Sequence, residues 1–203
     1  MNSKFFISRV FLLLISPLAY SAIRFALSPD FWVSYTADYP VHALSFFLSF
    51  FVLPFILMLQ SGRSRIYTGK KQLITGILAY LAVAPVLVFL FGDALGPRGE
   101  GIELAKSILL VSLNVMAVDF YVFRVGMILS GNAALSILSG TSLWFVVHIP
   151  ESLYLLNSGF QPASVLSFML LSGIILSSVY YRTRDVLGLM TGHVTLNLIL
   201  AAF

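Results

Sequence analysis

Apolar residues fill seven stretches of this chain, and short polar segments separate them. The stretches cover residues 10–27, 43–60, 72–92, 104–129, 133–149, 163–181 and 186–203. Each is close to the ~20 residues an α-helix needs to cross ~30 Å of hydrocarbon. The pattern predicts an all-α fold, a polytopic transmembrane bundle of about seven helices. Turn signals fall between stretches, at Ser28-Pro29-Asp30, Gly96-Pro97-Arg98-Gly99 and Gln161-Pro162. Asn132 and Asp185 stand where the fifth and seventh helices need N-caps. Pro17, Pro54 and Pro85 lie inside stretches, where proline marks a kink.

Composition points the same way. The chain has 203 residues, 59% hydrophobic and 10% charged, with mean hydropathy +0.98. A soluble domain carries roughly 25% charged residues. The expected location is therefore integral and multi-pass, in a bacterial cytoplasmic membrane with the lipid bilayer as partner. The net charge of +4 is modest, and the basic residues sit between apolar runs. They report topology rather than nucleic-acid binding. The segment 61–71 holds Arg63, Arg65, Lys70 and Lys71, so it is expected inside. Alternation then puts Lys4, Arg9, Arg124, Arg182 and Arg184 at the inner side as well. Only Arg24, Arg98 and Lys106 fall near the outer side, among Asp30, Asp38, Asp93, Glu100, Glu103 and Glu151. The N-terminus is expected inside and the C-terminus outside. The first apolar stretch, preceded by Lys4 and Arg9, reads as a span that is kept rather than a cleaved signal. There is no cysteine, which excludes disulfides, thiolate metal ligands and a cysteine nucleophile.

Against this background three polar residues stand out: Asp119, His148 and His193. An ionisable side chain inside a span is costly and marks a functional site by default. Each also has an ordinary reading, as a helix-packing hydrogen bond or an interfacial residue. Trp144 and His148 are an i,i+4 pair on one helix face, as are His193 and Asn197. Arg124 follows Asp119 by five residues, about 140° round an α-helix, so those two do not share a face. Counted from the inner ends at 1.5 Å per residue, Asp119 lies ~15 Å deep, His148 ~22 Å and His193 ~12 Å. The three can meet in one cavity in the inner half. A carboxylate and an imidazole can position and deprotonate a water for attack on a peptide carbonyl. Two hydrogen-bond donors one turn apart, His193 and Asn197, suit an oxyanion.

Three segments resemble the motifs of the CPBP/ABI family of intramembrane endopeptidases, which includes the type II CAAX prenyl proteases. That family carries Glu-Glu-x-x-x-Arg, Phe-x-x-x-His and His-x-x-x-Asn. The corresponding segments are Asp119-Phe120-Tyr121-Val122-Phe123-Arg124, Trp144-Phe145-Val146-Val147-His148 and His193-Val194-Thr195-Leu196-Asn197, in the same order. Phe123-Arg124-Val125-Gly126 and Ser178-Val179-Tyr180-Tyr181-Arg182-Thr183-Arg184 are also similar to the family's context. The resemblance covers about residues 105–203. It implies that Asp119 and His148 activate water, that His193 and Asn197 bind the oxyanion, and that Arg124 organises the site. It implies no cofactor and no metal. The substrate would be a membrane-associated protein or peptide, with or without a lipid modification. The chain departs from the motifs at three places: Asp119 and Phe120 replace the two glutamates, and Trp144 replaces the phenylalanine.

Residues 104–203 are thus the expected motif-bearing core, and residues 1–103 an N-terminal set of helices without a readable motif, serving as scaffold or substrate access. Three other readings stay open. Phe120 cannot ionise, so the chain could be a catalytically inactive scaffold or an immunity-type binding protein. The same polar residues could form a proton relay in a small transporter. Asp119, His148 and His193 also offer ligand types that zinc accepts.

Overall fold

The computed structural model describes residues 3–27, 39–60, 67–91, 101–129, 131–157 and 159–201, which are helical apart from short connections, with no strand among them. The elements are α1 (Ser3–Leu27), α2 (Tyr39–Phe47), α3 (Leu53–Gln60), α4 (Lys70–Phe91), α5 (Gly101–Asp119), α6 (Ala133–Val147), α7 (Ile149–Asn157), α8 (Pro162–Thr183) and α9 (Val186–Ala201). Two π-helical segments interrupt the series, Leu48–Val52 between α2 and α3 and Phe120–Gly126 after α5. Every apolar stretch read from the sequence is largely helical where it is described; the fourth ends at Gly126 rather than residue 129. The expected turns at residues 28–30 and 96–99 lie outside the described residues, as do Arg63 and Arg65. Two helices are long and apolar enough to cross a membrane, Ile108–Gly126 and Pro162–Thr183. Shorter apolar helices cover Phe11–Ile23, Ala43–Leu59, Ala133–Val147 and Val186–Ile199.

Three features differ from the sequence expectation. The fifth stretch does not run unbroken to residue 149. It ends at Val147, His148 caps it, and a separate helix α7 follows. The other two are the π segments. Pro54 explains the first. It has no N–H to return to the preceding turn, and its ring clashes with the carbonyl four residues back. The turn ahead of it widens, and Leu53 N–H bonds Leu48 O across five residues. The second π segment contains no proline. Its last bond runs from Met127 N–H to Val122 O at 2.8 Å.

The helix ends follow capping chemistry. The Asn132 side chain accepts from Leu135 N–H at 3.2 Å and starts α6. Pro162 opens α8 in the first turn, where a missing N–H costs nothing. Asp185 is fully buried and starts α9: one carboxylate oxygen accepts from Gly188 N–H at 2.7 Å. The other accepts from Thr68 N–H at 2.6 Å, just ahead of α4. The Thr68 hydroxyl lies 3.0 Å from Thr183 O and 3.1 Å from Asp185 Oδ2. One cap thus ties together the starts of α4 and α9 and the end of α8. Helices α4 and α9 run parallel from this end, and α8 arrives antiparallel to them.

Glycines let these helices approach. A Cβ on Gly188 would sit 2.6 Å from Leu73 O, one on Gly76 would sit 2.6 Å from the Gly188 carbonyl carbon, and one on Gly192 would sit 2.9 Å from Ile77 Cα. Gly188 and Gly192 are four apart, the spacing that lets two helix backbones touch. The core beside this contact is aromatic. Phe120 packs edge-on against Phe51 and Phe55, and Phe50 against Tyr121.

Asp185→Ala removes both the cap and the link to Thr68. It is expected to destabilise the protein by about 1–3 kcal/mol, the sum of a lost cap and a stranded buried donor. Asp185→Asn keeps an acceptor and loses less. Thermal unfolding in detergent checks the order; equal stability of all three proteins would contradict it.

Candidate functional site

Asp119 is the last residue of α5, at the step from α-helix to π segment. It is 0% exposed. A buried carboxylate needs donors, because desolvation costs several kcal/mol per ion. Two side chains meet it. The Tyr80 hydroxyl, from α4, donates to Oδ1 at 2.5 Å. His193 Nδ1, from α9, lies 3.3 Å from both Oδ1 and Oδ2. The distance is long for a single N–H···O bond and fits a proton shared between two oxygens. Toward an ionised carboxylate, which only accepts, Nδ1 would be the donor, and in a neutral imidazole Nε2 is then the acceptor nitrogen. The imidazole is 12% exposed. Tyr80 touches it as well: the two rings stack at 4.4 Å between centroids and 19° between planes.

The backbone explains the meeting. Tyr80 is one turn beyond Gly76, and His193 directly follows Gly192. Contact of α4 with α9 at those glycines brings the two rings face to face. From the capped end, His193 lies about 11 Å along α9 and Tyr80 about 15 Å along α4, at 1.5 Å per residue.

Trp144 extends the cluster. Its ring centroid lies 5.8 Å from that of His193 and 3.9 Å from that of His148. On its other sides it stacks with Phe123 at 5.9 Å and approaches Tyr80 at 6.4 Å. Its indole N–H donates to Ser172 Oγ at 3.1 Å, and the missing Cβ of Gly173 leaves room for its ring. His148 Nδ1 lies 2.8 Å from Trp144 O. A carbonyl only accepts, so this nitrogen is the donor.

The expected residues are therefore joined in a particular way. Asp119 contacts His193 directly, where the sequence reading paired it with His148. His148 reaches the pair across Trp144. Asn197 is half-buried one turn beyond His193 and hydrogen-bonds to neither Asp119 nor His148. Arg124 is half-buried in the π segment. A π turn closes over five residues rather than four. Residue 124 therefore follows 119 by about one turn and moves toward its face, correcting the 140° separation of an α-helix. Phe120, where the resembling motif has its second glutamate, is fully buried in the aromatic core. No group of three or more His, Cys, Asp or Glu side chains among the described residues is arranged to hold a metal ion. The Glu151 side chain lies outside the described residues.

Tyr80 is the member the sequence reading missed. A signal existed: a hydroxyl deep in an apolar helix needs a partner. Tyrosine is common enough near membrane interfaces to hide it. Compared with protein families, with curated proteins and with solved structures, the chain finds no match.

Gly188→Val is expected to force α4 and α9 apart and to cost about 1–3 kcal/mol, the usual range for overpacking. Gly131→Val is the control, because nothing lies within 4 Å of a Cβ there. Thermal unfolding of the two variants checks the contact; a smaller loss for Gly188→Val than for Gly131→Val would contradict it.

Proposed function

We propose that the chain is a multi-pass membrane protein and an intramembrane peptidase resembling the CPBP/ABI endopeptidases, acting on a membrane-associated protein or peptide. The apolar helices and their outward faces support the membrane reading. Leu14, Leu18, Leu138 and Leu171 are all more than half exposed, as side chains facing lipid would be. The cap at Asp185 supports the topology. It gathers Lys70, Lys71, Arg182 and Arg184 near one end, which the positive-inside rule makes cytoplasmic.

The observation that carries the enzymatic reading is the Asp119–His193 contact, a fully buried carboxylate on the Nδ1 side of a partly exposed imidazole. In this mechanism His193 Nε2 takes a proton from water. The water oxygen bonds to the peptide carbonyl carbon, and the carbonyl oxygen becomes an oxyanion. The tetrahedral intermediate collapses, the C–N bond breaks, and the proton passes from His193 to the departing amine. Asp119 orients the imidazole and stabilises its charged form. Asn197, one turn away on the same face, offers an amide N–H to the oxyanion. His148 supplies a second imidazole across Trp144, and Arg124 keeps an organising role. This differs from the expectation in three roles: His193 replaces His148 as the base, Asp119 orients that base instead of activating water itself, and Asn197 is left without His193 as its partner in binding the oxyanion.

A second reading is a non-catalytic scaffold that binds a membrane partner. Phe120 favours it, because the place of a second carboxylate is filled by a ring packed on Phe51 and Phe55. The purified protein, incubated in detergent with prenylated and unprenylated tail peptides, separates the two by mass spectrometry of products. The peptidase reading predicts cleavage that falls at least ~10²-fold in Asp119→Ala and His193→Ala, and about 10²–10³-fold in Asn197→Ala. Cleavage indifferent to Asp119→Ala would sink the mechanism. Peptide binding with no cleavage by the wild type would support the scaffold.

A further inference from the structure

We infer that Tyr80 is a positioning residue for the Asp119–His193 pair, holding the carboxylate through its hydroxyl and the imidazole through its ring. The inference rests on the peptidase reading for its catalytic consequence, though not for its structural one.

Tyr80 is 2% exposed and lies on α4, in the part of the chain without a readable motif. Its hydroxyl donates to Asp119 Oδ1 at 2.5 Å. Its ring stacks on His193 at 4.4 Å. It thus touches both members of the pair. Each contact removes a different freedom. A carboxylate held only by His193 can rotate about its Cβ–Cγ bond and present either oxygen. With Oδ1 fixed by Tyr80, both oxygens stay turned toward Nδ1, where both are at 3.3 Å. An imidazole held only at Nδ1 can swing about that bond or flip its ring. The stacked phenol on one side and Trp144, at 5.8 Å, on another restrict both motions. Nδ1 then keeps the proton and Nε2 keeps the lone pair, facing away from Asp119. General-base catalysis requires that tautomer and that direction. Tyr80 touches no reacting atom in this arrangement, so it acts wholly through the pair.

The geometry also separates the two clamps. Tyr80→Phe removes the hydroxyl and keeps the ring, whereas Tyr80→Leu removes both. The chain has three histidines, so ring ¹⁵N spectra of histidine-labelled protein in detergent are simple, and His193→Ala assigns the signals of interest. Wild type is expected to show His193 as a single Nδ1–H tautomer. Tyr80→Phe is expected to move its ring ¹⁵N signals toward a tautomer mixture, and Tyr80→Leu to broaden them further. On a cleaved peptide, Tyr80→Phe is expected to lower kcat by about 10-fold or more with KM little changed, as for a group that acts only on the reacting pair. Should Tyr80→Phe not fold, 3-fluorotyrosine at position 80 keeps the shape and changes the acidity of the hydroxyl. It shifts the His193 ring signals if the three groups are coupled and leaves them in place if not. Ring signals of His193 unchanged in Tyr80→Phe, or with fluorotyrosine, overturn the inference whatever the activity. Absence of cleavage by the wild type, with the ring signals responding as described, would instead remove the peptidase reading and leave the positioning role standing.

Discussion

A carboxylate without access to water must find its donors inside the protein, and Asp119 imposes that requirement on three helices. Its exposure is 0%, and its described partners are Tyr80 from α4 and His193 from α9. Removing one partner from a buried charge costs about 3–5 kcal/mol, more than most single contacts contribute. The arrangement around it follows. α4 and α9 must approach closely and in parallel, and Gly76, Gly188 and Gly192 permit the approach. Their register must hold Tyr80 opposite His193, and the Asp185 cap on Thr68 holds it from the helix ends. These features together hold one geometry around the buried carboxylate.

The step from α5 into the π segment falls directly after the same carboxylate. A wider turn after Asp119 brings Arg124 toward its face. Phe120, the residue directly after Asp119, turns to a different side, among Phe51 and Phe55. One helix thus presents a polar face to α4 and α9 and an aromatic face to α3 and the neighbouring π segment. Phe120 does not intrude on the polar cluster. It packs on Phe51 and Phe55, and the cluster around Asp119 brings together one carboxylate and two imidazoles, His193 directly and His148 across Trp144.

Much of this was legible in the chain. The seven apolar stretches marked the helices, because burial of an apolar face is what holds a helix in place. Asn132 and Asp185 announced their helix starts by residue type and position. Asp119 and His193 were visible as polar residues that an apolar helix would not otherwise tolerate. Other features were not legible, for stated reasons. Pairing Asp119 with His193 rather than His148 depends on helix register, which glycine contacts set and periodicity does not report. The break at His148 had a signal in Pro150, since the residue before a proline is disfavoured in a helix, but the apolar run ahead of it and Ile149 beyond it made the stretch read as one span. The second π segment has no proline to signal it. Tyr80 was overlooked because a tyrosine in an apolar helix has an ordinary explanation, and only the neighbouring helix reveals what its hydroxyl meets.

The coupling between Asp119 and His193 is the central claim, and a double-mutant cycle on folding stability measures it without any substrate. Asp119→Asn, His193→Ala and the double variant are unfolded in the same detergent, and the interaction energy is the departure from additivity. The account predicts a coupling of about 0.5–3 kcal/mol, the range for residues in contact or in one hydrogen-bond network. Additivity within about 0.3–0.5 kcal/mol, as expected for residues that do not touch, would contradict it.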